Sequence, residues 1–352
     1  MTDLATRATT ANAHVHTLEI VEVIVETARA RSLVFAVPDE LAHRFRYHPG
    51  QFLTLEIPGA GGDSMARCYS LSSSPHLDDT LVVTVKRVEG GYASNWLCDN
   101  AVPGMSLRVL TPSGVFVPKS LDADLLLLAA GSGITPVMSI AKSALLGGSA
   151  TVYALYANTD AESVIFGAEL AEMTVEFPDR FQVVHWLESE RGRPSAAALA
   201  GLIAPYRAYR AYVCGPEPFM AASRAALRAI GMPDNHVHVE KFRSLTGDPF
   251  ADIVRPEGGG AAASATVALD GRTIGLEWPR GTPLLDVLLS NGYDAPYSCR
   301  AGECSACACT VRSGEVRMLK NDTLVDADLA LGLTLACQTI PVSERIEIAF
   351  DQ

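Results

Sequence analysis

Four cysteines have the types and spacing for redox chemistry. Cys299, Cys304, Cys307 and Cys337 follow C-x4-C-x2-C-x29-C, the ligand pattern of a plant-type 2Fe-2S cluster. Two bridged irons each take two soft thiolates, and the tight loop CRAGECSAC lets three sulfurs converge from one side. Gly302 supplies the backbone freedom for that loop. A four-Cys zinc site competes, but its usual paired C-x2-C knuckles are missing. Cys309, two residues beyond Cys307, reads as a packed strand residue, with replacement of Cys307 as ligand its rival role.

RCYSLSSSP (67–75) and VKRVEGGYASNWL (85–97) carry a second set. On an extended strand Arg67 and Tyr69 point the same way, so a guanidinium can meet a pyrophosphate while a ring lies on an isoalloxazine. Cys68 then faces inward. Gly91 permits close backbone approach, and Ala93 and Ser94 begin a short helix whose free N–H groups suit phosphate oxygens. In AAGSGITP (129–136), Gly131 and Gly133 let the backbone meet a phosphate and Thr135 can donate a hydrogen bond, although the full G-x-G-x-x-G is absent. AYVCGPEPFM (211–220) ends an apolar strand at Cys214, Gly215 and Pro216, the carboxyl edge where open parallel sheets bind ligands. Each motif alone also fits ordinary structure: a surface strand, a tight crossover, a buried thiol. His236, His238 and Glu240 alternate on one strand face and read as a wetted sheet rather than a metal triad. Cys98 is expected to pack, and Ser70, Ser72, Ser73 and Ser74 to end a strand and turn.

Three patterns must position these residues. Short alternating runs such as FLTLEI (52–57), broken by turn residues, indicate an antiparallel β barrel over 15–120. Over 121–245, DLLLLAAGSGITPVMSIAKSALL reads as a buried strand, a glycine loop and a helix beginning near Pro136. Further apolar runs alternate with helical stretches, giving an α/β doubly wound parallel sheet. The Gly-, Ala- and Pro-rich stretch 246–263 reads as a flexible connector. A third, α+β domain follows over 264–352, with an Asp-Gly hairpin turn and a helix stopped by glycine.

A chain of 352 residues, 48% hydrophobic and 19% charged, fits such a multidomain globular protein. No apolar run is long enough for a membrane span and MTDLATRATTANAHVH lacks a signal core, so a cytoplasmic location is expected. There cysteines bind metals more readily than they form disulfides. A net charge of -12 argues against nucleic-acid binding.

Arg67-x-Tyr69-Ser70, Gly91 to Ser94, GSGITP and Cys214-Gly215-Pro216, followed by Cys299 to Cys337, occur in the order of the ferredoxin-reductase family, which the chain resembles over nearly its whole length. ARCYSLSSSPH, VKR, GYASNWLCDN and GSGITPVMSI are most similar to the branch serving 3-ketosteroid 9α-hydroxylases, with phenylacetyl-CoA epoxygenase reductases close behind. The resemblance implies FAD on Arg67, Tyr69, Ser70, Lys86 and Ser94. Gly131 to Pro136 and Cys214 to Phe219 would receive the nicotinamide nucleotide, and Glu240 with Phe242 would lie near the flavin. It further implies hydride transfer from NADH to FAD among Tyr69, Ser70, Cys214 and Glu240. Electrons would then leave through a β-grasp ferredoxin domain to a Rieske-type oxygenase, from a monomeric protein.

YANTDAESVIF (156–166) has no basic residue, and Glu188 stands where NADP-using relatives tend to place a Ser-Arg pair, which favours NADH; Arg191 and Arg193 argue the other way. Residues 264–352 hold 12 Asp and Glu against 7 Lys and Arg, so an acidic docking face is expected, with plain solvated surface as its rival. A stand-alone diaphorase and a redox-sensing binding module are the competing functions.

Overall fold

The computed structural model describes residues 9, 10, 12, 14–59, 61–254, 261–324 and 326–350. They divide into two compact units. One comprises Thr17–Gly59 and Arg67–Phe242; the other comprises the described residues of 1–16, 60–66 and 243–352.

Period-two alternation makes a six-stranded antiparallel sheet whose residues belong mostly to the first unit. In Val15–Thr27, Leu18 and Ile20 are buried while Glu19 and Val21 are exposed. The strand order is Ser64–Ser70, Phe52–Pro58, Ser106–Leu110, Val15–Thr27, Ala30–Ala36, Leu81–Lys86. Leu71, just past one edge strand, bridges Val83 in the other, and the Ser72 N–H donates to the Val82 carbonyl at 2.8 Å, so the sheet closes as a barrel. The serine run after it does more than turn. Ser139 Oγ donates to the Ser73 carbonyl at 2.6 Å and the Ser74 and Ser143 hydroxyls meet at 2.8 Å, which fastens the barrel to helix Ile134–Gly147.

That helix belongs to a five-stranded parallel sheet in the order Phe181–Leu187, Val152–Asn158, Leu125–Ala130, Arg210–Cys214, Val237–Glu240. Leu125–Ala130 is buried along its whole length because both faces are covered. Ile134 and Met138 pack on one face, Leu199 and Leu227 on the other. The helix starts at Ile134, earlier than the expected Pro136, because Gly131–Gly133 form a 3-10 turn that runs straight into it. Proline in the first turn loses no internal hydrogen bond.

The second unit contains a mixed sheet in the order Arg272–Pro279, Ala262–Leu269, Arg345–Ala349, Ala308–Ser313, Leu333–Leu335, with helix Leu284–Ser290 on it, a β-grasp arrangement. Its first hairpin turns at Asp270 and Gly271, with φ of 50° and 68°, as an Asp-Gly turn requires. Residues near the start of the chain join this unit. Thr9–Thr10 pairs with Ile253–Val254, Asn12 Nδ2 donates to the Pro249 carbonyl at 3.1 Å, and the Tyr297 hydroxyl donates to Asn12 Oδ1 at 2.7 Å. Within the stretch read as a connector, Phe250 is buried and Ala262 already opens a strand. Glycine-rich composition did not reveal these tertiary anchors; residues 255–260 lie outside the described residues. Among the described residues no helix is long and apolar enough to cross a membrane.

Candidate redox sites at the sheet edge and in the cysteine loop

The parallel sheet reverses its strand order between Leu125–Ala130 and Arg210–Cys214, and ligands of open α/β sheets bind at the carboxyl ends of strands at such a point. Ala129 lies in register with Cys214, and Cys214 with Glu240. A Cβ on Gly133 would stand 2.2 Å from the Cys214 carbonyl oxygen, so the two loops touch through backbone that admits no side chain. Gly131 has φ of 53°, and its missing Cβ would meet Lys86 Nζ at 3.3 Å. The Tyr156 hydroxyl donates to the Gly131 carbonyl at 3.1 Å and accepts the Ile165 N–H at 3.3 Å. Burial raises the Cys214 thiol well above its ordinary range, with the Glu240 charge adding to it. Loss of water pushes the Glu240 carboxyl up to about 8.

Two residues assigned to this edge are occupied otherwise. The Thr135 hydroxyl donates to the Ser132 carbonyl at 3.1 Å and shapes the loop itself. Phe219 packs in the core against the sheet, behind the Gly215 turn that follows Cys214, with Pro216 at the start of helix Glu217–Ala229. Asn158, which ends Val152–Asn158, is 4% exposed, with the Tyr156 hydroxyl beside its amide but no hydrogen bond of good geometry to either amide atom. A polar ligand at this edge would satisfy it, as a nicotinamide nucleotide can. Arg191 lies over the Trp186 ring at 5.5 Å, and Arg193 reaches Glu188 at 3.9 Å.

On the barrel, Arg67 and Tyr69 share one face of Ser64–Ser70, and Ser70 ends the strand buried. Burial raises the Tyr69 phenol, against the Arg67 charge, so the ring stays neutral. Lys86 is half-buried; loss of water and then Arg29 lower its pKa, with Asp160 opposing. An anionic phosphate would relieve that crowding, so the residues suit a flavin nucleotide. Helix Tyr92–Asn100 begins just after Gly91, with Ala93 and Ser94 buried. Ser94 Oγ accepts the Val88 N–H at 3.0 Å, leaving its own proton to give. His238 stacks on Tyr212 with ring centroids 4.7 Å apart.

The cysteine loop is built around sulfur. Cys299 Sγ accepts N–H groups of Ala301 at 3.3 Å and Glu303 at 3.2 Å; Cys304 Sγ accepts the Cys299 N–H at 3.3 Å, and Cys307 Sγ the Cys337 N–H at 3.5 Å. The Cys304 and Cys337 thiols, then these amides, draw Cys299 far below the thiol range, against its burial. Arg300 and Ser305 hold φ of 53° and 57°, which non-glycine residues adopt at a cost that clusters at functional sites. Donors aimed at sulfur and a strained loop fit a thiolate-held cluster. Cys309 is fully buried in Ala308–Ser313 opposite Thr334, and burial keeps its thiol protonated, as packing requires. Among the described residues no group of three or more His, Cys, Asp or Glu side chains surrounds a single-ion position. A two-iron cluster asks instead for two thiolate pairs.

Three families match in succession: an oxidoreductase FAD-binding domain over residues 17–117, an oxidoreductase NAD-binding domain over 127–225, and a 2Fe-2S iron-sulfur cluster binding domain over 267–342. The ferredoxin reductase component of 3-ketosteroid-9-alpha-monooxygenase from Mycolicibacterium smegmatis is 56% identical over 345 residues, 96% of this chain and 98% of its own. The chain belongs to the ferredoxin reductases. A component of the 1,2-phenylacetyl-CoA epoxidase from Escherichia coli is 34% identical to this ferredoxin reductase over 96% of this chain and 98% of its own. The solved phthalate dioxygenase reductase shares its fold, with a TM-score of 0.58 at 21% identity over 97% of this chain and 100% of its own. The reductase is therefore an oxidoreductase with FAD-binding, NAD-binding and 2Fe-2S domains. Sequence reasoning passed over Tyr156 and Asn158 of this reductase. Their two-residue spacing at the polar end of an apolar strand was the available signal.

Proposed function

We propose that this ferredoxin reductase is the cytoplasmic, monomeric, NADH-dependent electron donor of a 3-ketosteroid 9α-monooxygenase, serving a Rieske-type oxygenase. The observation that carries the proposal is the 56% identity spanning 98% of the Mycolicibacterium smegmatis component. The proposal includes domains at 15–120, 121–245 and 264–352. FAD, when bound, turns the two-electron supply of NADH into single electrons, and the 2Fe-2S cluster carries them one at a time.

The chain's own residues prepare that exchange. Arg67 and Lys86 bring cations to the flavin pyrophosphate, Ser94 offers its remaining proton to a phosphate oxygen, and Tyr69 lays a neutral ring on the isoalloxazine. Gly91 and Ala93 leave backbone room there, as Gly131 to Pro136 and Gly215 do for the nicotinamide nucleotide. The protonated Cys214 thiol gives the nicotinamide a soft, uncharged wall. Glu240, with its pKa at about 8, keeps its proton at neutral pH and donates a hydrogen bond where a carboxylate would repel electron density. Ser70, buried beside Tyr69, orients the flavin edge. Glu188 discourages a 2′-phosphate.

The test is reconstitution with a Rieske-type oxygenase and a 3-ketosteroid. NADH is expected to drive 9α-hydroxylation, with NADPH at least tenfold poorer in kcat/KM. An oxygenase that stays oxidised while cytochrome c is reduced would remove the steroid assignment, and preference for NADPH would remove the Glu188 argument.

A further inference from the structure

The cysteine loop carries one side chain that ligation does not explain. Glu303, between Gly302 and Cys304, is only 7% exposed. Its carboxylate accepts the Thr246 N–H at 3.1 Å, the Thr246 hydroxyl at 2.6 Å and the Lys320 ammonium at 2.9 Å. Lys320 is shared with Asp322 at 3.0 Å. The backbone N–H of the same Glu303 donates to the Cys299 sulfur at 3.2 Å. One residue thus joins a thiolate to a segment 57 positions away in the sequence.

That segment is closely seated. Leu245 and Phe250 on either side of it are buried, and a Cβ on Gly247 would stand 3.0 Å from the Cys299 carbonyl oxygen. Contacts this tight leave the Cys299 backbone little freedom to move away from Thr246.

We propose that Glu303 is a positioning residue for the cluster: Thr246, by holding the carboxylate, fixes the Glu303 N–H on the Cys299 sulfur and so sets how readily the cluster takes an electron. The proposal rests on Cys299 being a cluster ligand. Reduction adds one negative charge to the cluster, and an N–H aimed at a ligand sulfur stabilises that charge. A loosened Glu303 weakens the donor and disfavours the reduced form. The seating of the segment after strand Val237–Glu240 is thereby coupled to the electron affinity of the loop.

The experiment compares full-length wild type, T246V and T246S, each carrying its cluster, by redox titration followed through visible absorbance and electron paramagnetic resonance. At the wild-type midpoint, the reduced-to-oxidised ratio of T246V is expected to be roughly threefold lower, from one weakened donor to sulfur. T246S, which keeps the hydroxyl, returns to the wild-type ratio. In T246V the Glu303 amide exchanges its proton faster than in wild type. Equal ratios in all three proteins would overturn the proposal, as would a shift in T246S as large as that in T246V. T246A, which also removes the hydroxyl, repeats the comparison if T246V does not assemble, with the same outcomes deciding. A wild-type chain without cluster absorbance would instead refute the ligand assignment, before any titration.

Discussion

Cys214 and Glu240 stand in register at the carboxyl ends of neighbouring parallel strands, Cys214 buried and Glu240 half-buried, and loss of water raises the pKa of both. Glu240 ionises near pH 8 rather than at its ordinary 4.5. NADH-driven flavin reduction is therefore expected to fall as pH rises through about 8, and stopped-flow rates of E240Q to lose that limb. The stability linkage has the same direction. The folded state holds a proton that the unfolded chain releases near 4.5, so the contribution of Glu240 is complete below 4.5 and lost as pH rises to about 8. Denaturant titrations of E240Q should lack this decline.

Gly133→Ala puts a methyl 2.2 Å from a carbonyl oxygen that belongs to rigid backbone. We expect a stability loss of about 2 kcal/mol from overpacking. The kcat/KM for NADH should fall at least tenfold, a loss of positioning, while dithionite still reduces the flavin and cluster. Gly201 in helix Ala196–Ile203 has open space around its missing Cβ. G201A should stabilise the protein by about 0.5–1 kcal/mol.

The cysteines should separate cleanly. C309A keeps the cluster spectrum and loses about 1 kcal/mol of packing. C307S and C337S lose the visible cluster absorbance. Their cytochrome c reduction should drop roughly a hundredfold while ferricyanide reduction, which the flavin alone supports, changes by less than about twofold. Retention of the spectrum in C307S together with its loss in C309A would exchange the two roles.

Tyr156→Phe removes the hydroxyl shared by the Gly131 carbonyl and the Ile165 N–H. One buried backbone N–H and one part-buried carbonyl would lose a partner, at about 1–3 kcal/mol. Thermal unfolding should shift down, and KM for NADH should rise several-fold more than kcat falls.

What the sequence disclosed was local. The Cys299-to-Cys307 spacing, the Asp270-Gly271 turn and the strand-loop-helix around Gly131 each depend on residues a few positions apart, where type and spacing nearly dictate geometry. Contacts made across the chain left no such mark. Nothing in VKR shows that Lys86 abuts Gly131, and an acid in a loop of small residues does not name Thr246 as its partner. The hydroxyl of Thr135 was legible as a donor but not as one already spent on Ser132. The seating of Pro249 and Ala251, within the stretch read as a connector, was illegible for a related reason: glycine, alanine and proline report what the isolated chain permits, whereas Asn12 holds these two carbonyls from across the sequence.

The hydrogen bond from Tyr297 to Asn12 also has a consequence for biosynthesis. The two residues are 285 positions apart, so at translation speeds of 5–20 residues per second Asn12 waits on the order of 15–60 s for its partner. Thr9–Thr10 likewise has no strand to pair with until Ile253–Val254 emerges. The barrel can be finished on the ribosome well before that, whereas the last strand of the parallel sheet, Val237–Glu240, emerges only shortly before Ile253–Val254. Asn12 and Thr9–Thr10 thus dock long after they are made, and chaperones would meet them as a dangling strand in the interval.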